Sequence, residues 1–197
     1  MNFSTVLDPG HGGIDPGGVG NIQGVKVLEK NLNYSLALAI RDRLVNYLID
    51  VTVIQPSCLD PKSTGKNELY KPVAVANRLH KIKPVDLYLS LHTNAGKGTG
   101  TEIFCGYNCS ELSLKYSGFL HDRIAPYVGS WGYVDRGKKQ AKYYVLTYTK
   151  MPAVLIETLF IDTARDVKAL VNADFMAGLA SVIAAGICDC AGVKWNG

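Results

Sequence analysis

The run Phe3-Ser4-Thr5-Val6-Leu7-Asp8-Pro9-Gly10-His11 decides the architecture. The stretch Phe3 to Leu7 is short, mostly apolar and halted by Asp-Pro-Gly, which predicts a buried strand rather than a helix. A glycine-rich loop from Gly10 to Gly24 follows. Leu28, Leu32, Leu36, Ile40, Leu44 and Leu48 then recur at every fourth position, the pattern of a long amphipathic helix. Val51 to Ile54 predicts a second strand, Gln55 to Glu68 a polar surface loop, and Val73 to His80 a helix closed by Pro84. Asp86 to Leu91 and Thr101 to Phe104 read as further strands, Leu112 to Ile124 as a helix, Tyr143 to Leu146 and Ala153 to Ile156 as short apolar runs, and Phe175 to Ile187 as a last helix. Strands that alternate with helices predict a single α/β domain: a mostly parallel twisted sheet of about six strands with helices on both faces.

The 197 residues suit one domain, since a domain averages about 150. Hydrophobic residues make up 47% and charged residues 19%, which excludes a disordered chain. Met176 to Cys188 lies in the longest run without a charge, which is shorter than the ~20 residues a bilayer span needs, so no membrane insertion is expected. Met1 leads straight into the first strand, so no secretory leader is expected. The net charge is only +4, and the tightest basic group, Arg136, Lys138, Lys139 and Lys142, lies in no nucleic-acid-binding motif; nucleic acid is not an expected partner. Five cysteines, Cys58, Cys105, Cys109, Cys188 and Cys190, cannot all pair and lack zinc-knuckle spacing, so they read as reduced structural thiols.

In open α/β sheets the working residues gather beyond the carboxyl ends of the strands. Here His11 follows the first strand, His92 the third and Glu157 the last apolar run, while Glu29 opens the long helix. Two imidazoles and a carboxylate form a ligand set that zinc uses while keeping a position open for water, and a second carboxylate can serve as general base. Each residue also has an ordinary reading. A histidine after a strand commonly caps a loop, and a glutamate at a helix start is favoured by the helix dipole. Glu157 is harder to explain away, because an unpaired carboxylate ending an apolar run costs several kcal/mol. His80 and His121 read as surface residues on predicted helices. The glycine-rich loop lacks GxGxxG and GxxxxGK[ST], which argues against a nucleotide site.

These residues fall into motifs that resemble the zinc-dependent N-acetylmuramoyl-L-alanine amidases. Val6-Leu7-Asp8-Pro9-Gly10-His11-Gly12-Gly13 with Asp15-Pro16-Gly17, then Glu29-Lys30-Asn31-Leu32-Asn33, is similar to that family's opening. Leu89-Ser90-Leu91-His92-Thr93-Asn94-Ala95 resembles its second histidine motif, and Gly100-Thr101-Glu102 the segment after it. Asp135-Arg136-Gly137-Lys138-Lys139-Gln140-Ala141 with Tyr144-Val145-Leu146 resembles its substrate-side loop and strand. Met151-Pro152-Ala153-Val154-Leu155-Ile156-Glu157-Thr158 resembles the segment with its catalytic glutamate. The resemblance implies cleavage of the amide between the lactyl group of N-acetylmuramic acid and the L-alanine of the peptidoglycan stem. His11, Glu29 and His92 would hold one Zn²⁺ per chain and Glu157 would be catalytic. Asn94 and Arg136 would hold substrate amide and carboxylate groups, and Asp8 would either orient a histidine or cap its loop. The alternatives are a zinc peptidase cutting within the stem peptide and a catalytically inactive wall-binding module.

The sequence departs from the family pattern after Glu157. Leu159-Phe160-Ile161-Asp162 replaces a segment that usually starts with glycine, so Leu159 is expected to alter the groove wall, and Ile161-Asp162-Thr163 resembles sporulation-linked and phage-type members. Lys71-Pro72 replaces an expected arginine and leaves the start of that helix open. No helix able to plug the site is evident between Cys105 and Asp135, which predicts an open groove. The resemblance assigns residues 1–190 to a catalytic domain and 191–197 to a tail or linker stub. It implies a monomeric enzyme of the cell wall, made in the cytoplasm and released by lysis or through a phage-made hole.

Overall fold

The computed structural model describes residues 2–54 and 70–197; the surface loop expected at 55–68 and Cys58 lie outside the described residues. In chain order the elements are β1 (Phe3–Pro9), β2 (Val19–Ile22), β3 (Val25–Leu28), α1 (Glu29–Leu44), β4 (Ile49–Val53), α2 (Tyr70–Ile82), β5 (Leu87–Asn94), β6 (Thr101–Cys105), α3 (Glu111–Ser130), β7 (Asp135–Gln140), α4 (Tyr144–Tyr148), β8 (Ala153–Phe160), α5 (Ala164–Leu170) and α6 (Ala173–Ala191). Six strands form one sheet in the order β4-β1-β5-β8-β6-β7. Every pair is parallel except β6 with β8. This is the α/β architecture the strand–helix alternation predicts.

Period-two alternation sorts the strand side chains to the two faces. Leu7, Leu87, Leu89, Leu91, Val154 and Ile156 join α1, α3 and α6 in the larger core. Val6, Tyr88, Phe104, Ala153 and Leu155 point the other way, to a smaller core closed by Val73 and Ala76 of α2 and by Val145 and Leu146 of α4. Each strand of the sheet centre is thus buried on both faces, which is why it reads as a short apolar run. On α1 the buried stripe is Leu36, Ala37, Ile40 and Leu44; Leu48, counted into the periodic pattern, lies beyond the helix and is exposed. Helix α6 is long and apolar enough to cross a membrane, and its apolar residues form much of the larger core between α1 and α3. After it, Gly192 caps the helix in the left-handed conformation. The tail folds back: Trp195 stacks on Tyr47 at 5.2 Å and the Asn196 N–H donates to the Tyr47 hydroxyl.

Four features differ from the expectations. The end of the glycine-rich loop is the first strand and turn of the β2–β3 hairpin, turned by Gln23 and Gly24, both at positive φ. Asp135–Gln140 is not a loop but the edge strand β7, and its mostly charged sequence is the kind that protects a sheet edge from further pairing. Tyr144-Val145-Leu146 is a short helix, because β7 already holds the sheet edge and one helical turn lets Val145 and Leu146 cover the smaller core. Leu159 is fully buried in the larger core and does not line the groove. The cause is a bulge: His92 to Asn94 on β5 runs opposite Glu157 to Phe160 on β8, and the extra residue turns Leu159 inward.

Candidate metal centre and active site

The register sets the site. His92 on β5 lies opposite Glu157 on β8, and Glu157 lies opposite Glu102 on β6, so the three side chains project from one face at the carboxyl end of the parallel strands. His11 follows β1 at φ 67°, a conformation uncommon outside glycine, which turns its ring back over the site. Glu29, the first residue of α1, reaches the same point from the far side of the hairpin. One ligand atom from each of His11, Glu29 and His92 lies within 4.8 Å of the others.

The distances suit a small divalent ion. His11 Nε2 is 3.3 Å from Glu29 Oε2, and His92 Nδ1 is 3.1 Å from Glu29 Oε1. Tetrahedral ligands at ~2.0–2.1 Å from zinc stand roughly 3.3 Å apart. The imidazoles and the carboxylate also match zinc's nitrogen and oxygen preferences. Two glycines make room for this grouping. A Cβ on Gly10 would lie 2.1 Å from the His92 ring, and one on Gly17, at φ 67°, would lie within 2.7 Å of both His11 and Glu29.

The groups around these residues fix their orientation. His11 Nδ1 is 2.9 Å from Asp15 Oδ2, so with Nδ1 protonated, Nε2 keeps its lone pair for an ion. Asp15 also accepts the Gly17 N–H. Glu29 accepts from the Gly18 N–H at 2.7 Å, the Thr93 N–H at 2.9 Å and the Asn33 amide at 3.3 Å. Burial alone would push Glu29 up, but His11 and His92 outweigh it and hold its carboxyl far below the ordinary range. Burial likewise lowers His11, but Glu29 and then Asp15 raise it to about 9.

Glu157 is the odd member. Burial, assisted by the nearby charges of Glu29 and Glu102, pushes its carboxyl up to about 7. Among the described residues, its Oε2 is the one buried side-chain nitrogen or oxygen without a hydrogen-bond partner. A cavity of about 280 Å³ opens here, lined by His92, Tyr143, Tyr144, Val145, Leu155 and Glu157.

Known proteins share this sequence pattern and fold. The N-acetylmuramoyl-L-alanine amidase family model matches residues 5–189. The chain belongs to this family. Among curated proteins it is similar to the sporulation-specific N-acetylmuramoyl-L-alanine amidase of Bacillus subtilis, 35% identical over 88% of this chain and 62% of that protein. It is also similar to the endolysin of Bacillus phage SPP1, 32% identical over 98% of this chain and 68% of that protein. The chain thus spans about two thirds of the length of these curated relatives. The catalytic domain of CwlV, the amidase of Paenibacillus polymyxa, superposes with a TM-score of 0.81 at 30% identity, covering 98% of this chain and 99% of that one.

Within the amidase fold, His11, Glu29, His92 and Glu157 converge as the sequence predicts. Asn94 and Arg136 sit at the same rim, each held by a hydrogen bond to Glu102. Asp8 orients no histidine. Its carboxylate, pushed up by burial, accepts from Tyr88 at 2.5 Å and Ser90 at 3.0 Å, and the orienting carboxylate is Asp15. His121 is no plain surface residue either, since its Nε2 lies 3.0 Å from the Asp135 carboxylate at the start of β7. His80 accepts the Val85 N–H. Asp15, Asn33 and Glu102 carry no role in the sequence reading; the signals were Asp15 four residues after His11 in the loop, and Asn33 four after Glu29 on the same face of α1. Cys105, Cys109, Cys188 and Cys190 are free thiols.

Proposed function

We propose that this chain hydrolyses the amide between the lactyl group of N-acetylmuramic acid and the L-alanine of the peptidoglycan stem. The observation that carries the reading is the buried, unpartnered Glu157 Oε2 beside the His11–Glu29–His92 grouping, with a cavity opening on both Glu157 and His92. His11, Glu29 and His92 would hold one zinc ion per chain. Bound zinc supplies a water of pKa ~7 and charge stabilisation for a developing oxyanion. Glu157 is the general base that takes the proton from the attacking water and delivers it to the leaving amine nitrogen. Its raised affinity for protons suits a group that accepts one and gives it up near neutrality. Asp15 and Asn33 hold His11 and Glu29 in position, and Arg136 and Asn94 meet the substrate's polar groups at the rim. The reading makes the enzyme a monomer that acts on the cell wall, neither inserted in a membrane nor bound to nucleic acid, with residues 1–190 as its catalytic domain.

Mass spectrometry of digested wall tests the cleavage site. New amino termini on L-alanine are expected; new termini elsewhere in the stem peptide would instead indicate a zinc peptidase. Glu157→Gln is expected to lose about 10²–10⁴-fold in rate at unchanged metal content. Full lytic activity in that variant would remove Glu157 from the mechanism.

A further inference from the structure

Glu102 is a buried carboxylate that the mechanism above does not use. It stands directly opposite Glu157 across the antiparallel β6–β8 pair, where a second like charge is unfavourable. Three donors converge on it: Arg136 Nε at 2.9 Å on Oε2, Lys139 Nζ on the same oxygen, and Asn94 Nδ2 on Oε1. Burial by itself would raise this carboxyl, but Lys139 and Arg136 outweigh burial and keep it below the ordinary range. An ionised carboxylate here is a cost that a neutral side chain would avoid, and one cation would suffice to neutralise it. The protein instead places two cations on one carboxylate, so that this cluster holds one cation more than it needs.

The placement of Arg136 gives that surplus a direction. Only its Nε engages Glu102, and among the described residues its Nη atoms meet no acceptor. The guanidinium lies 5.0 Å over the ring of Phe160, so it leans from the edge strand back across the sheet toward β8. Strands β7 and β8 are two spacings apart, roughly 9–10 Å, and this lean shortens the gap. A carboxylate on the second residue beyond the scissile nitrogen lies about 7 Å away in an extended peptide. The acyl side of the bond is an uncharged sugar ether, so free carboxylates are found only on the leaving-group side.

We propose that Glu102 is the positioning residue of an anion subsite, in which it holds Arg136 and Lys139 together so that they receive the free α-carboxylate of the second stem residue, beyond the leaving L-alanine. The inference deepens the amidase reading and rests on it for the identity of the substrate. It makes the enzyme selective for stems whose second residue is an acid over those in which that carboxylate is a primary amide.

Two ligand pairs test this. The first is a muramoyl tripeptide with a free α-carboxylate on its second residue, and the same tripeptide as the α-carboxamide. Metal-loaded wild-type enzyme is expected to favour the acid in kcat/KM by roughly 10- to 100-fold, the range of hydrogen bonds to charged groups. Glu102→Gln and Arg136→Ala should bring the ratio toward one, Lys139→Ala should lower it, and Glu102→Asp should restore part of it. The second pair is the two released peptides, acid and amide, titrated into chelator-treated protein, where the same preference should appear in Kd. Equal kcat/KM on acid and amide, or an undiminished preference in Glu102→Gln, would overturn the subsite while leaving the amidase reading intact. Failure of the wild type to cleave either tripeptide would overturn the amidase reading, and the Kd ratio of the peptides would then decide the subsite alone. Should Glu102→Gln fail to fold, Lys139→Ala, which leaves Glu102 paired with Arg136, decides the question by the same ratio.

Discussion

Asp15 shows how a single side chain tunes this centre. Its carboxylate meets His11 Nδ1 at 2.9 Å, and a negatively charged partner there fixes the tautomer and makes Nε2 a better donor to an ion. Asp15→Asn keeps the size and loses the charge, so zinc affinity is expected to fall about 10- to 100-fold, measured by competition with a chromophoric chelator. The pH dependence follows from His11. Without metal its imidazole is raised from 6.5 to about 9, with Glu29 and Asp15 outweighing burial. The ion pair's stabilisation of the metal-free protein is therefore complete below ~6.5 and lost as pH rises through about 9. Metal needs the neutral ring, so affinity should rise with pH until about 9, and uptake near neutrality should release protons. Calorimetry in buffers of different ionisation enthalpy reads that release, and the absence of proton release would contradict the assignment. His11, His92, Glu29 and Glu157 were legible because each ends an apolar run, follows one or opens a helix at one rim. Asp15, Asn33 and Glu102 were not, because their partners are set by a left-handed turn, an i,i+4 helical face and a cross-strand register.

At the scale of elements, the apolar strands and amphipathic helices announced themselves and the polar elements did not. Strand β7 reads Asp-Arg-Gly-Lys-Lys-Gln, a sequence with no buried alternation, and it becomes a strand only because β6 offers it a ladder. The bulge after Glu157 is equally silent in sequence, although it sends Leu159 into the core and leaves Phe160 beneath Arg136. What holds that corner is Asp166 in α5, fully buried, accepting from the Thr99 hydroxyl, the Gly100 N–H and the Phe160 N–H. One carboxylate thus ties α5 to the β5–β6 loop and to the end of β8. Asp166→Ala would leave those donors without their partner in a buried corner. The expected loss is about 3 kcal/mol, read from denaturant unfolding with an unchanged m-value. A loss under ~0.5 kcal/mol would show that water replaces the carboxylate.

For the molecule as a whole, the centre joins three parts of the chain: His11 from the loop after β1, Glu29 from the head of α1 and His92 from β5. An ion held by all three binds the folded chain and not the unfolded one, so it must raise the unfolding temperature. At free metal about 100 times Kd the gain is ~2.7 kcal/mol. For a chain of this size each kcal/mol moves Tm by about 2–4 °C, so chelation should lower Tm by roughly 5–10 °C. The variants separate ligand from base. Glu29→Gln and His92→Ala should melt at temperatures that chelator barely changes, because they no longer hold the ion. Glu157→Gln, which the assignment keeps out of the ligand set, should show the full shift. If Glu157→Gln lost the shift and Glu29→Gln kept it, the two glutamates would have exchanged roles, with Glu157 completing the ligand set and Glu29 left as the candidate base.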